Sequence, residues 1–353
     1  MNNNGSFAKS NAPQTALVTG GAGFIGSHLV DALLKLGHRV VTFDNFNSYY
    51  DPSVKRQNIA KHLANPNYTL VEGDLRDKAK VTEAFAYGPF NYVVHLAAMA
   101  GVRPSLEQPA YYMDVNINGT QILIDQILSH GKPRLVFGSS SSVYGKRSGE
   151  QFLETDRVDQ PLSPYAASKA AGELLCYTAH HTNNLQAVCL RFFTVFGPRQ
   201  RPDLAIHKFS RLIDQNKPIE VYGDGYSKRD YTYVGDIVSG IISSINYDLP
   251  GYDIINLGRS EPVQLLHLIK SLESAMSQKA NLIYREPQMG DVPYTYANID
   301  KARKVLNYNP STSFEDGIKS FVHWHNEQRE LALVGRHASG TFQAPSRANV
   351  SPR

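Results

Sequence analysis

Charge of one sign, cysteine and long apolar runs are all scarce in this chain of 353 residues. Lys and Arg number 36 against 32 Asp and Glu, a formal +4 spread over the whole length, so no basic surface for nucleic acid is expected. Helicase, histone-like and coiled-coil classes fit poorly. Two cysteines, Cys176 and Cys189, are too few for a disulfide framework or a multi-cysteine zinc site. They stand in apolar surroundings, LLCYT and AVCLR, which suits buried thiols in a reducing compartment. There is no run of about 18 apolar residues. The opening MNNNGSFAKSNAPQ is polar and has no apolar h-region. Neither a membrane span nor a secretory signal is expected, and the expected location is the cytoplasm. No metal site and no internal repeat are apparent.

What is there is enough for a sizeable core: 42% apolar residues and 19% charged. The length suits about two average domains, or one large α/β domain with an appended lobe. Residues 1–14 and 333–353 are polar, rich in Asn, Ser, Gly or Pro, and are expected to be disordered tails. Between them, short β-branched runs alternate with amphipathic stretches. TALVTG, HRVVTFDN, YTLVEGD, NYVVHLAA, RLVFGSS and LQAVCLRFF read as strands, and FIGSHLVDALLKLG carries apolar residues at helical spacing up to a terminating glycine. Near-continuous apolar strands separated by helices predict a doubly wound parallel α/β sheet over 15–190. Residues 191–332 alternate less regularly, with strands at PIEVYG, YDIINLG and NLIYRE. They are expected to form a smaller C-terminal α/β lobe, partly interleaved with the first domain.

Two constellations carry chemistry. The first is Gly20-Gly21-Ala22-Gly23-Phe24-Ile25-Gly26, a G-x-x-G-x-x-G pattern between a strand and a helix. Glycines there allow close backbone approach, so a diphosphate can rest on the free N–H groups of the helix start. A glycine cluster alone could be only a turn. The strand–glycine–helix–strand order makes it a Rossmann-type dinucleotide site. The second strand ends in Asp44, where a carboxylate bonds adenosine ribose hydroxyls and repels a 2′-phosphate, favouring NAD over NADP. Asp74 ends the third strand and is placed to meet the adenine. Asn45, Leu75, Leu96, Ala97 and Ala98 follow the strand ends as further cofactor contacts.

The second constellation is Tyr165-Ala-Ala-Ser-Lys169, preceded by Ser139-Ser140-Ser141-Ser142-Val143-Tyr144-Gly145. Tyrosine and lysine at i and i+4 share a helical face. An ammonium near a phenol favours phenolate and lowers a pKa of about 10. A serine hydroxyl beside it can share the proton and hold a substrate oxygen. On a lone helix this spacing is an ordinary exposed pair; after a dinucleotide motif and a serine run it reads as catalytic.

Together these motifs resemble the extended short-chain dehydrogenase/reductase family, and over nearly all of 15–325 its nucleotide-sugar 4-epimerases. HLAAMAGVRPS (95–105), DVNINGT (114–120), RFFTVFGPRQRPD (191–203), KRDYTYVGDIV (228–238) and GDVPYTYAN (290–298) agree. The resemblance implies Tyr165 as the base, Lys169 as its orienting cation, Ser140 as the hydroxyl partner and Ser142 as a second one. It implies substrate contacts at Arg103, Asn116, Thr194, Arg201, Val221, Arg229 and Asp291, with Arg229 on the diphosphate. Dehydratases and decarboxylases of this kind carry acids beside the serine, whereas this chain has serines alone. The resemblance therefore implies 4-epimerisation of a UDP-sugar by a homodimer with bound NAD. DNFNSYYDP, Thr194 and the MGDVP stretch resemble UDP-glucuronate 4-epimerases most. A UDP-glucose or UDP-N-acetylglucosamine epimerase and a non-catalytic NAD-binding regulatory protein are the alternatives. The implied setting is polysaccharide biosynthesis.

Overall fold

The computed structural model describes residues 13–147, 150–248, 250–286 and 294–339, with side chains to 331. The apolar runs become β1 (Thr15–Thr19), β2 (Arg39–Asp44), β3 (Tyr68–Glu72), β4 (Tyr92–His95), β5 (Arg134–Ser140) and β6 (Ala187–Phe192). Then come β7 (Thr194–Phe196), β8 (Pro218–Tyr222), β9 (Lys228–Tyr233), β10 (Tyr252–Leu257), β11 (Pro262–Gln264) and β12 (Asn281–Arg285). Seven of these form one sheet in the order β10-β6-β5-β4-β1-β2-β3. Every pairing in it is parallel. Its residues alternate between two apolar layers. Ala16, Val18, Val40, Val94, Val136 and Val188 pack on one face. Leu17, Val41, Val93, Leu135, Ala187 and Cys189 pack on the other. Helices cover both faces, which is why the strands are apolar at nearly every position. The strand order reverses between β1 and β4, and a crevice opens there at the carboxyl ends of the strands.

The second half builds a β11-β9-β7 sheet and a parallel β12-β8 pair around Phe196, Ile206, Ile219, Leu268 and Phe321. One strand read with this lobe lies elsewhere. YDIINLG is β10, in register with β6 from Tyr252 opposite Ala187 to Leu257 opposite Phe192. An apolar run announces a strand but not its sheet, and β6, buried on both faces, needs a partner along its outer edge. The tail boundaries also differ. Gln14 O accepts from Arg39 N at 2.9 Å, so the chain joins the sheet one residue before 15. At the other end, the helix Phe314–Ser339 continues past 333. ELAL is good helix-forming sequence, and a single Gly335 costs a helix only about 1 kcal/mol. Among the described residues no helix is long and apolar enough to cross a membrane.

Candidate active site

A cavity of about 840 Å³ occupies the crevice and runs on between the sheet and the smaller lobe. Its first wall is the glycine loop. Gly20 has φ +71° and donates to Phe43 O at 2.7 Å. A Cβ on Gly20 would lie 2.7 Å from Ala97 N, and one on Gly26 only 2.1 Å from Gly20 O. The helix Phe24–Lys35 starts at Gly23 with no side-chain cap. Bare backbone and first-turn N–H groups therefore face the cavity where an anion would sit.

Asp44 closes one end. It is 6% exposed. Its Oδ2 accepts from Ala22 N at 3.1 Å and its Oδ1 from Phe46 N at 2.9 Å. Burial pushes its pKa up, opposed by the nearby Lys55 ammonium and then by the two N–H bonds. Lys55, which the sequence reading did not single out, lines the same wall and donates to Asn47 O at 3.1 Å. Asp74 accepts from Arg76 and from Asn45 Nδ2 (2.9 Å), and these bonds, Arg76 first, hold its carboxyl down at about 2. Leu75, Leu96, Ala97 and Ala98 line the cavity between these ends. A backbone cradle, a helix start, a ribose-directed carboxylate and an apolar slot fit NAD.

Tyr165 and Lys169 project from the helix Pro164–Asn183, whose start is fixed by Ser163 Oγ accepting from Ala166 N at 3.1 Å and by Pro164 in its first turn. Ser140 ends β5 and lines the same cavity as Tyr165, and its hydroxyl favours the ionised phenol. Ser140 Oγ also accepts from Ser142 N (3.2 Å) and from Ser142 Oγ (3.0 Å). With both lone pairs engaged, the Ser140 hydroxyl keeps its proton available to donate into the cavity.

Lys169 Nζ donates to Gly138 O at 2.7 Å and sits 5.1 Å above the Phe137 ring. Burial lowers its pKa to about 8. Burial raises the Tyr165 phenol, while the Ser140 bond and the charge of Arg201 pull it back. Desolvation outweighs the hydrogen bond, so a further positive charge against the ring is needed to ionise it near neutrality. Oxidised nicotinamide is such a charge.

At the lobe end, Arg103, Thr194, Arg201 and Arg229 all line the cavity. Arg201 grips Asp203 through Nε (3.0 Å) and Nη2 (2.6 Å) and lies 5.3 Å over the Tyr49 ring. Arg103 stacks 5.6 Å over Tyr222. Arg229 Nη1 donates to Lys228 O at 3.0 Å. Two implied contacts fall outside the wall. Asn116 is buried behind it: its Oδ1 accepts from Met99 N (2.8 Å), and its Nδ2 donates to Met99 O (2.9 Å) and Ser168 Oγ (2.9 Å). It braces the loop after β4 against the catalytic helix. Val221 is fully buried in the lobe's core, because strand alternation turns Glu220 and Tyr222 to the cavity instead. Asp291 lies outside the described residues. Tyr49 and Asp203 join Lys55 as wall residues the sequence reading missed. A tyrosine or an acid in a loop carries no spacing signal of its own.

A glycine cradle at the switch point of a parallel sheet, with a Tyr–Lys pair and a serine beside it, defines a site for hydride and proton transfer with a nicotinamide cofactor. The chain belongs to the family described as GDP-mannose 4,6 dehydratase, whose model matches residues 17–321, within the extended short-chain dehydrogenases/reductases. UDP-glucuronate 4-epimerase 1 of Arabidopsis thaliana is 43% identical over 329 residues, covering 88% of this chain and 76% of that protein. The UDP-glucuronate 4-epimerase of Thermodesulfobacterium geofontis is 42% identical over 317 residues, with 89% and 97% covered. The crystal structure of a Bacillus cereus UDP-glucuronic acid 4-epimerase with UDP-glucuronic acid and NAD matches with a TM-score of 0.82 at 34% identity. That match covers 89% of this chain and 99% of the other.

Proposed function

We propose that the protein interconverts UDP-glucuronate and UDP-galacturonate by NAD-dependent 4-epimerisation. One observation carries the choice of reaction within the family. The segment facing Tyr165 is Ser139–Ser142 without an acid, and among the described residues the carboxylate that contacts it is Glu173, which accepts from Ser139 at 2.5 Å while held by Arg191 in a buried ion pair. Eliminating water across C5–C6 needs a proton donor and acceptor at the sugar, and none stands beside Ser140.

NAD, when bound, supplies a hydride acceptor that gives the same hydride back. Tyr165 takes the proton of the C4 hydroxyl, assisted by Ser140, while the Lys169 ammonium favours the phenolate. After the 4-keto sugar turns over in the cavity, Tyr165 returns the proton to the oxygen on the opposite configuration. No atom is gained or lost. The uronate preference is supported by the 42–43% identical relatives. It is also supported by Thr194, whose hydroxyl in the cavity wall suits a C6 carboxylate. Arg229 is assigned to the diphosphate.

The homodimer and a cytoplasmic setting belong to the same reading. Leu174 and Tyr177 are 67% and 51% exposed on the catalytic helix, an apolar pair that a second copy would cover. The test is to incubate purified protein with UDP-glucuronate without added cofactor and to resolve the products, after checking denatured protein for released NAD. UDP-galacturonate is the expected product. Epimerised UDP-glucose with unchanged UDP-glucuronate would overturn the substrate assignment.

A further inference from the structure

Directly behind the catalytic residues lies an ion pair that the reaction does not touch. Arg191 on β6 is 1% exposed and Glu173, one turn beyond Lys169, is 3% exposed. Arg191 Nε donates to Glu173 Oε1 at 2.9 Å and Nη2 to Oε2 at 2.8 Å. Burying two charges costs several kcal/mol per ion in lost hydration, and an apolar pair of the same volume often serves stability as well or better. Its value therefore lies in what it holds. On one side Ser139 Oγ donates to Glu173 Oε1 at 2.5 Å. On the other, the Arg191 guanidinium lies 4.7 Å over the Tyr144 ring, and the Tyr144 hydroxyl donates to Asn256 Oδ1 at 2.7 Å. Ser139 and Tyr144 flank the segment that presents Ser140 and Ser142. The serine segment is thus gripped at both ends by one buried pair, whose acid stands on the same helix as Tyr165.

We propose that Glu173, clamped by Arg191, is a positioning residue: it fixes the serine segment against the catalytic helix so that the Ser140 hydroxyl meets the Tyr165 phenol. The inference rests on the catalytic reading above. The packing around it agrees. A Cβ on Gly172 would lie 2.3 Å from the Phe137 ring, so helix and β5 approach as closely as glycine allows exactly where Lys169 reaches Gly138 O. Glu173 has a second effect through its charge. Lys169 is faced by Tyr165, Glu173 and Cys176 from its own helix, Cys189 from β6 and His95 from β4. Burial pushes Lys169 toward the neutral amine, opposed by Cys176, Glu173 and Cys189, of which Glu173 is the carboxylate.

Three variants test the proposal: Ser139→Ala, which leaves the ion pair whole; Glu173→Gln; and the apolar exchange Glu173→Leu with Arg191→Met. S139A and E173Q are expected to lose kcat roughly hundredfold, the scale of a misplacement of about 1 Å, with KM for UDP-glucuronate and bound NAD near wild type. The basic limb of the kcat–pH profile should move to lower pH in E173Q and stay in place in S139A. The apolar exchange should melt no lower than E173Q yet remain slow. Wild-type kcat in S139A would overturn the proposal, and so would recovery of kcat in the apolar exchange, since either would leave the pair a structural role alone. Wild-type turnover of UDP-glucuronate in the same assay tests the epimerase reading separately.

Discussion

Replacing Gly26 with alanine would put one carbon where the backbone leaves no room. The new Cβ would lie 2.1 Å from Gly20 O and 2.8 Å from Gly21 Cα. Close carbon–oxygen contacts in proteins stop near about 3.3 Å, so one side must withdraw by about 1.2 Å. The carbonyl cannot easily go. Gly20 N is bonded to Phe43 O, Gly20 O accepts from Gly23 N at 3.1 Å, and Gly20 is itself pressed against Ala97. The helix start must therefore lift, carrying the N–H groups of Phe24 and Ile25 away from the diphosphate. Such overpacking costs roughly 1–3 kcal/mol. Where cofactor binding has to restore the original geometry, the same term weakens affinity about 5–150-fold. The assay is the NAD released from denatured G26A protein per chain, beside a thermal melt with and without added NAD. Expected are a lower melting temperature, little retained NAD and partial rescue by excess cofactor. Wild-type NAD content and melting temperature would refute the reasoning, because the 2.1 Å contact leaves no unstrained alternative. Gly23→Ala is the control: its Cβ would sit 3.2 Å from Gly20 O, and a shift of a few tenths of an ångström suffices.

Acid should destabilise the fold in two stages. His28, His95 and His207 are held at about 4, about 3 and about 4, chiefly by burial. Their folded values lie below the unfolded value of about 6.5, so their stability is complete above that pH and falls as pH drops toward the folded values. At about pH 5 the loss is up to about 2 kcal/mol each. A His28→Gln/His207→Gln variant should flatten the decline in melting temperature between about pH 7 and about pH 5, and an unchanged slope would count against it. Asp74 acts lower: its stabilisation is whole above the unfolded value of about 3.9 and is lost as pH falls through its folded value of about 2. The melting difference between wild type and Asp74→Asn should shrink over that window and would not if the Arg76 bonds were idle. Thr194→Val should raise KM for UDP-glucuronate by roughly tenfold or more, the scale of a lost hydrogen bond to a charged group, while sparing UDP-glucose. Equal effects on both sugars would mean that Thr194 does not read the carboxylate.

Much of this architecture was legible in the residues, because strands buried on both faces and glycines that must touch backbone leave strong marks. Gly20, Gly26, Asp44, Tyr165 and Lys169, singled out by their spacing, all line one cavity. What failed was information that spacing does not hold. The run YDIINLG says strand, but only the empty edge of β6 says which sheet. Val221 was one pleat off, and strand alternation turns such a slip into the opposite face. Asn116 is drawn to backbone groups of Met99 that no motif shows. The acidity of Tyr165 depends on its burial, which exists only after folding, and Lys55 and Asp203 gain meaning only from neighbours far away in the chain.

The placement of β10 against β6 has a consequence during synthesis. The ribosome completes β6 roughly 60 residues before β10 exists, about 3–12 s at 5–20 residues per second. Throughout that interval AVCLRF presents an apolar edge with open backbone groups, the kind that recruits other chains. This nascent chain should need shielding over one interval, ending as residue 257 leaves the exit tunnel. Chains arrested before that point should be cut by protease around β6, and those arrested well beyond it should resist. Cleavage independent of arrest point would show that the edge is guarded by something other than β10.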